Sequence, residues 1–82
     1  MLFSGAGGLR REGVPFLLVL LNGRKADLAA GITVAGLLKQ KNLSPDTVIV
    51  ELNGEILRKE SWPETALREN DRLEILRFVG GG

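Results

Sequence analysis

The sequence contains no cysteine, no histidine and no tyrosine among its 82 residues. Without cysteine the chain can form no disulfide, no thiolate metal site and no cysteine nucleophile. Without histidine it lacks the usual general base near neutral pH and the commonest ligand of protein-bound metals. The chain is therefore poor in the groups that carry out catalysis, and we expect neither a metal site nor a catalytic residue in it.

An excess of charge is also missing, since 11 basic and 10 acidic residues leave a formal net charge of +1. Proteins that bind nucleic acid or anionic membranes usually carry a strongly basic surface, so we expect neither partner. No apolar stretch approaches the ~20 residues that a membrane span needs. The short apolar run at residues 14–21 contains Pro15 and has no convincing signal-cleavage site after it. We expect a cytoplasmic protein.

The chain divides into three parts by composition. Residues 1–13 are rich in glycine and show no hydrophobic periodicity, so we expect a disordered extension. Residues 14–79 contain the periodic segments of a sequence that is 44% hydrophobic and 26% charged, and they predict one small domain. Residues 80–82 are three glycines directly after a strand-like run. Because glycine has no Cβ and packs nothing, they predict a thin, flexible tail.

The first half of the domain predicts a hairpin followed by a helix. Residues 16–21 are typical of a strand, Asn22-Gly23 of a tight turn, and residues 24–28 of the returning strand. Thr33 is suited to be the N-cap of a helix over residues 34–41. The helix has apolar residues at the i, i+3, i+4 spacing that packs on a sheet, namely Val34, Leu37 and Leu38.

The second half begins with another strand and a second tight turn. Residues 47–52 alternate, which places Val48 and Val50 on one face and Ile49 on the other. Asn53-Gly54 then turns the chain into a short extended piece at Ile56-Leu57. Residues 59–70 predict a polar connection that carries Trp62 as a core residue and ends in a turn at Asn70.

Residues 72–79 predict the last and most apolar strand, which we expect beside the first strand in the middle of the sheet. Leu73 and Ile75 share one face. Leu76 and Phe78 share the other, where they form an apolar patch beside the tail that Ile49 extends. The fold class is α+β, a roll with a four- to five-stranded mixed sheet and one main helix on one face.

Several local patterns occur together in this order. They are Asn22-Gly23, Thr33-Val34-Ala35 with Leu37-Leu38, residues 48–55, the series Trp62, Thr65 and Leu67, and residues 71–82. The order of elements resembles the β-grasp fold of ubiquitin-like proteins. The residues resemble, more narrowly, the ThiS family of sulfur carriers in thiamine biosynthesis, from about residue 17 to the end. Gly36 and Asn70 depart from the family, which usually has Glu and Gly there.

The resemblance implies that the Gly82 carboxylate is the reactive group. A carboxylate is a poor electrophile, so an E1-like (ThiF-like) adenylyltransferase would convert it with ATP to an acyl-adenylate. Sulfur from a persulfide donor, supplied by a cysteine desulfurase, would displace AMP and leave a thiocarboxylate. A thiazole synthase (ThiG-like) would then take up the sulfur. The chain itself would be no enzyme and would hold no cofactor, since ATP is used by the partner.

The resemblance also assigns roles near the tail. Gly80 and Gly81 would thread a narrow channel in which any Cβ would clash. The residues expected to dock on partners are Ile49, Leu76, Phe78 and Val79. The free chain would be a monomer.

Three other functions stay open at this point. The small subunit of molybdopterin synthase has the same fold and also ends in two glycines. A ubiquitin-like modifier would use the tail to form isopeptide bonds with lysines. A β-grasp interaction module without a carrier role would leave the three glycines without a purpose.

Overall fold

Most strands, and the helix, begin and end within one residue of the positions that the local patterns predict. The computed structural model describes residues 8–9 and 15–78, and the predictions for 1–7, 10–14 and 79–82 lie outside these residues. The strands are β1 (Gly8–Leu9), β2 (Pro15–Leu21), β3 (Arg24–Ala29), β4 (Val48–Leu52), β5 (Glu55–Ile56) and β6 (Arg72–Arg77). The helix α1 is Val34–Gln40, and two 3₁₀ helices are Pro45–Thr47 and Lys59–Glu64.

The sheet has the order β1-β2-β6-β4-β5. In addition, β3 pairs with β2 along the edge opposite to β6. The β2–β6 pair is parallel and the others are antiparallel. The first and last strands of the predicted domain, β2 and β6, therefore lie side by side in the sheet, as we expected. Residues 14–79 contribute five strands, which confirms the predicted four- to five-stranded mixed sheet with one main helix.

The strand β1 is an addition that the sequence does not signal. It lies inside the segment 1–13 that we expected to be disordered, and it pairs antiparallel with Pro15 and Phe16. A two-residue strand is too short to show alternation, so periodicity cannot reveal it. Residues 8 and 9 are the part of that segment for which the structure describes a strand.

Both predicted asparagine–glycine turns are confirmed. Asn22 and Gly23 have φ of 50° and 82°, and Asn53 and Gly54 have φ of 53° and 90°. Positive φ at both central residues is the signature of the type I′ turn, whose twist matches that of the flanking strands. These turns fix the registers of β2 with β3 and of β4 with β5.

The two turn asparagines also hold β6 in place. The Asn22 Oδ1 accepts a hydrogen bond from the Ile75 N–H at 2.8 Å, and its Nδ2 donates to the Ile75 oxygen at 3.4 Å. The Asn53 Oδ1 accepts from the Arg72 N–H at 2.9 Å, and its Nδ2 donates to Asp71 Oδ1 at 3.0 Å. The last strand is therefore bonded on both of its edges by side chains that leave adjacent turns.

Helix α1 forms where its cap and its apolar stripe predict. Thr33 is the N-cap, and its Oγ1 accepts from the Gly36 N–H at 3.0 Å. The predicted stripe of Val34, Leu37 and Leu38 is buried, and burial of each such side chain contributes on the order of 2 kcal/mol. The helix ends at Gln40, one residue earlier than predicted, because Asn42 takes the left-handed conformation at φ 58° and the Leu43 N–H closes the last turn on the Leu38 oxygen at 2.9 Å.

The connection over residues 59–70 is more ordered than predicted, since it contains the 3₁₀ helix Lys59–Glu64. Trp62 lies in this helix at 4% exposure, and its Nε1 donates to the Leu57 oxygen at 3.2 Å. Its predicted place in the core is confirmed. Two hydroxyl groups close the turns of this 3₁₀ helix, which the sequence did not predict. Ser61 donates to the Arg58 oxygen, and Thr65 donates to the Ser61 oxygen.

One exposed ion pair joins the two 3₁₀ helices. Lys59 Nζ lies 2.7 Å from Asp46 Oδ1. The hydrogen bond and the charge of Lys59 lower the pKa of the Asp46 carboxyl below its ordinary value. Because the pKa is lowered in the folded state, the pair stabilises the fold at higher pH, and its contribution is lost as the pH falls through the acid range.

Each described helix falls short of the length and apolar character that a membrane crossing requires.

Candidate functional site

The two faces of the sheet differ in what covers them. On β6, Leu73 and Ile75 are buried at 0% and 8% exposure under α1, whereas Leu76 and Phe78 are 53% and 46% exposed on the other face. The predicted division of this strand is therefore confirmed. We call the face under α1 the inner face and the opposite one the outer face.

The outer face carries an exposed apolar surface next to the end of β6, which we call the outer patch. Its members are the four large hydrophobic residues that stand exposed among the described residues, namely Ile49, Ile56, Leu76 and Phe78. Ile49 lies directly opposite Leu76 in the β4–β6 register. The Phe78 N–H donates to the Thr47 oxygen at 3.0 Å, so the pairing continues one residue beyond β6.

Ile56 is the member that the sequence reasoning missed. It is 68% exposed, and it lies opposite Glu51, which shares the outer face with Ile49. The signal was present in the Asn53-Gly54 turn, because a two-residue turn places Leu52 opposite Glu55 and Glu51 opposite Ile56. Of the predicted docking residues, Ile49, Leu76 and Phe78 do lie together in the structure.

Two carboxylates interrupt the outer patch. Glu51 lies directly opposite Glu74 in the antiparallel register. Like charges at opposed positions are destabilising, and neither of the ion pairs between described residues involves these two side chains. The outer face is therefore an apolar surface that carries negative charge at its centre.

The remaining predicted site residues belong to the tail. Val79, Gly80, Gly81 and Gly82 lie outside the described residues. Phe78 is the last residue that the structure describes, and it belongs to the outer patch. The outer patch thus adjoins the point at which the chain continues into the tail.

A mixed sheet with one main helix on its inner face, and a last strand that leads from an exposed apolar patch into the C-terminal residues, defines a β-grasp protein of the ubiquitin-like class. The model of the ThiS family matches residues 19–82 of this chain. The chain therefore belongs to the ThiS family.

Relatives of two kinds share this similarity. The protein named sulfur carrier protein ThiS from Bacillus subtilis is 46% identical over 50 residues, which are 61% of this chain and 76% of that protein. The thiazole synthase of Paramagnetospirillum magneticum is 38% identical over 64 residues, which are 78% of this chain and 20% of that protein. The chain spans about a fifth of the length of the thiazole synthases that it matches.

Solved structures agree with the family assignment. The crystal structure of thiamine biosynthesis protein ThiS from Geobacter metallireducens has 33% sequence identity and a TM-score of 0.69. The similarity covers 80% of this chain and all (100%) of that chain. The β-grasp fold predicted from the order of elements is thereby confirmed by structural comparison as well as by topology.

Proposed function

We propose that this chain is a sulfur carrier of thiamine biosynthesis and that its reactive group is the carboxylate of Gly82. The observation that carries the proposal is the family match, which runs through the β-grasp domain and on to residue 82. The similarity to proteins named as sulfur carriers supports the same function.

The first proposed step is activation by a partner. A ThiF-like adenylyltransferase uses ATP to join AMP to the Gly82 carboxylate, which turns a poor electrophile into an acyl-adenylate. The terminal sulfur of a persulfide donor, supplied by a cysteine desulfurase, then displaces AMP and forms an acyl disulfide. A thiol of a partner protein cleaves the S–S bond of that acyl disulfide, forms a disulfide with the donor sulfur and leaves the Gly82 thiocarboxylate. The absence of cysteine and histidine in the whole sequence supports the assignment of all catalytic groups to partners. On this proposal the chain is a substrate of enzymes, and it binds no cofactor of its own.

The proposed acceptor is a ThiG-like thiazole synthase. Support comes from proteins named thiazole synthase in which a region similar to this chain makes up about a fifth of the length, 20% in one and 19% in another. In those relatives the carrier-like region and the thiazole synthase are parts of one polypeptide. This arrangement supports the proposal that a separate carrier chain binds a thiazole synthase. The name of the relatives also favours the thiazole pathway over molybdopterin synthesis.

In this proposal the tail carries the reactive carboxylate into the partner, and the outer patch binds the partner surface. Gly80 and Gly81 have no Cβ, so they can pass through a channel that is too narrow for other residues. Leu76 and Phe78, with Ile49 beside them, offer the exposed apolar surface on which a partner can hold the domain while the tail reaches the reacting atoms. We propose Val79, the next residue in the sequence, as a further docking residue.

Intact mass tests the proposed chemistry. We expect incubation with the candidate adenylyltransferase, ATP and a sulfur donor to replace one oxygen of the chain by sulfur, with fragmentation placing the change at Gly82. Omission of ATP is the control and should leave the mass unchanged. Adducts on lysines of other proteins would favour the modifier function instead, and rescue of a thiamine auxotroph separates the thiazole pathway from the molybdopterin pathway.

The outer patch yields a second expected result. Leu76→Ser should raise the KM for the chain in adenylation by roughly 5- to 30-fold, because a central apolar contact in an interface contributes about 1–2 kcal/mol. The side chain is 53% exposed, so the thermal unfolding midpoint should change little. Ala30→Ser, at an exposed position outside the patch, is the matched control. An unchanged KM for Leu76→Ser would show that partners do not dock on the outer patch.

A further inference from the structure

At the C-terminal end of α1, the inner face of the sheet borders an open concavity of about 400 Å³. The apolar residues that line it are Leu21, Leu43 and Ile75. The charged residues that line it are all positive, namely Arg24, Lys41 and Arg77. We call this concavity the basic pocket. It lies on the face of β6 opposite to the outer patch, since Arg77 pairs with the buried Val48.

The three cations of the basic pocket have no counter-charge among the described residues. The ion pairs between described side chains are Arg58 with Glu60 and Lys59 with Asp46. None of the three cations takes part in a side-chain hydrogen bond between described residues. Three like charges around one concavity repel each other, and a bound anion would relieve that repulsion.

The position of the pocket relates it to the tail. Arg77 directly precedes Phe78, and the two residues belong to opposite faces of the last strand. The last described residues of the chain therefore have an apolar surface on one side and a cationic concavity on the other. A protein that takes up the tail must approach the end of β6, where both surfaces are within its reach.

We propose that the basic pocket receives an acidic segment, with carboxylate and apolar side chains, of the protein that takes up the tail. The proposal rests on the proposed function, because it assumes such a protein. The argument for an acidic segment is charge complementarity, because three cations without an ion-pair partner among the described residues surround an apolar lining. Complementary charges at the edge of an interface speed association and fix its orientation.

The local structure favours protein carboxylates over a phosphate group. Phosphate sites commonly use backbone N–H groups at the N-terminus of a helix. The basic pocket lies instead at the C-terminal end of α1, where Lys41 is the C-cap and the last carbonyl groups form the negative end of the helix dipole. Long, flexible cationic side chains can reach past those carbonyls to a carboxylate on a partner surface, and the apolar lining suits the rest of a peptide segment.

Charge reversals with matched controls test the proposal in the adenylation reaction. The pocket variant is Arg24→Glu, Lys41→Glu and Arg77→Glu combined. The control is Lys25→Glu, Lys39→Glu and Arg72→Glu combined, which makes the same change of net charge on the same strands and at the same end of the helix, outside the pocket. We expect the pocket variant to raise KM at least about tenfold with kcat within about twofold, and the control to change both by less than about threefold. Equal effects of the two variants would overturn the proposal.

A binding titration separates this proposal from the proposed function. The probe is a short synthetic peptide of alternating glutamate and leucine, added to the ¹⁵N-labelled chain. We expect amide shifts at Leu21, Leu43 and Ile75 in the wild type and in the control variant, and none in the pocket variant. No localised shift, or the same shifts with inorganic phosphate at equal concentration, would overturn the proposal. If the wild type binds the peptide but the candidate adenylyltransferase does not act on the chain, the proposed function fails, whereas the affinity of the basic pocket for an acidic peptide stands.

Discussion

Deletion of Gly82, or addition of one residue after it, should abolish thiocarboxylate formation and leave the thermal unfolding midpoint unchanged. One residue of extended chain spans about 3.5 Å. On the proposed function, a shift of that size would move the terminal carboxylate out of reach of the ATP in the adenylyltransferase, since a displacement of about 1 Å in a reacting site can cost on the order of a hundredfold in rate. Stability should be unaffected, because glycine has no side chain and its removal exposes no apolar surface.

The matched control for the lengthened chain inserts one glycine after Met1, which equals a C-terminal addition of glycine in mass and composition but leaves the tail length intact. Intact mass after incubation with the adenylyltransferase, ATP and a sulfur donor reports the reaction, and a thermal melt reports the fold. Sulfur incorporation at the wild-type rate in the shortened chain would show that Gly82 is not the acceptor. A lower unfolding midpoint would show that the tail packs on the domain.

The parts of the fold that the sequence predicts are those encoded by neighbouring residues. The Asn22-Gly23 and Asn53-Gly54 turns need positive φ, which these two residue types adopt at low cost. The N-cap hydroxyl of Thr33 and the apolar spacing of α1 act within one helix turn. Alternation along β4 and β6 placed Ile49 and Leu76 on the outer face, since each strand residue faces opposite to its neighbours.

The parts that escaped prediction depend on contacts between distant segments. The 3₁₀ helix at Lys59–Glu64 has no periodic apolar pattern, and Trp62 alone anchors it to the core. The basic pocket joins β2, β3 and β6 to the end of α1, so its three cations are spread across the sequence. Only the strand order and the length of the helix bring them together, and neither has a signal in local composition.

Asn22→Ala should lower the free energy of unfolding by about 2–4 kcal/mol. The change removes two hydrogen bonds to the Ile75 backbone, each contributing about 1 kcal/mol, and leaves a part-buried N–H without its acceptor. It also forces alanine into the left-handed conformation at φ 50°, which costs roughly 1–2 kcal/mol. In a domain of this size, the unfolding midpoint should fall by roughly 10–25 °C.

Asn42→Ala provides the control that separates backbone strain from the tertiary hydrogen bonds. Asn42 has φ of 58°, yet its side chain makes none of the hydrogen bonds between described residues. Its replacement should therefore cost only the strain, about 1–2 kcal/mol. Equal losses in the two variants would mean that the Asn22 amide contributes nothing to the fold.

Hydrogen exchange then shows where the lost stability lies. In Asn22→Ala the Ile75 amide should exchange faster by a larger factor than the Ile49 amide, because Ile75 N–H loses its acceptor whereas Ile49 lies opposite Leu76 in the β4–β6 ladder, which the substitution leaves in place. Leu76 of the outer patch follows Ile75 directly in β6. We therefore expect the loss of the Ile75 hydrogen bond to increase the local motion of Leu76 as well. We therefore expect a turn residue far from the C-terminus in sequence to affect the order of β6 up to Phe78.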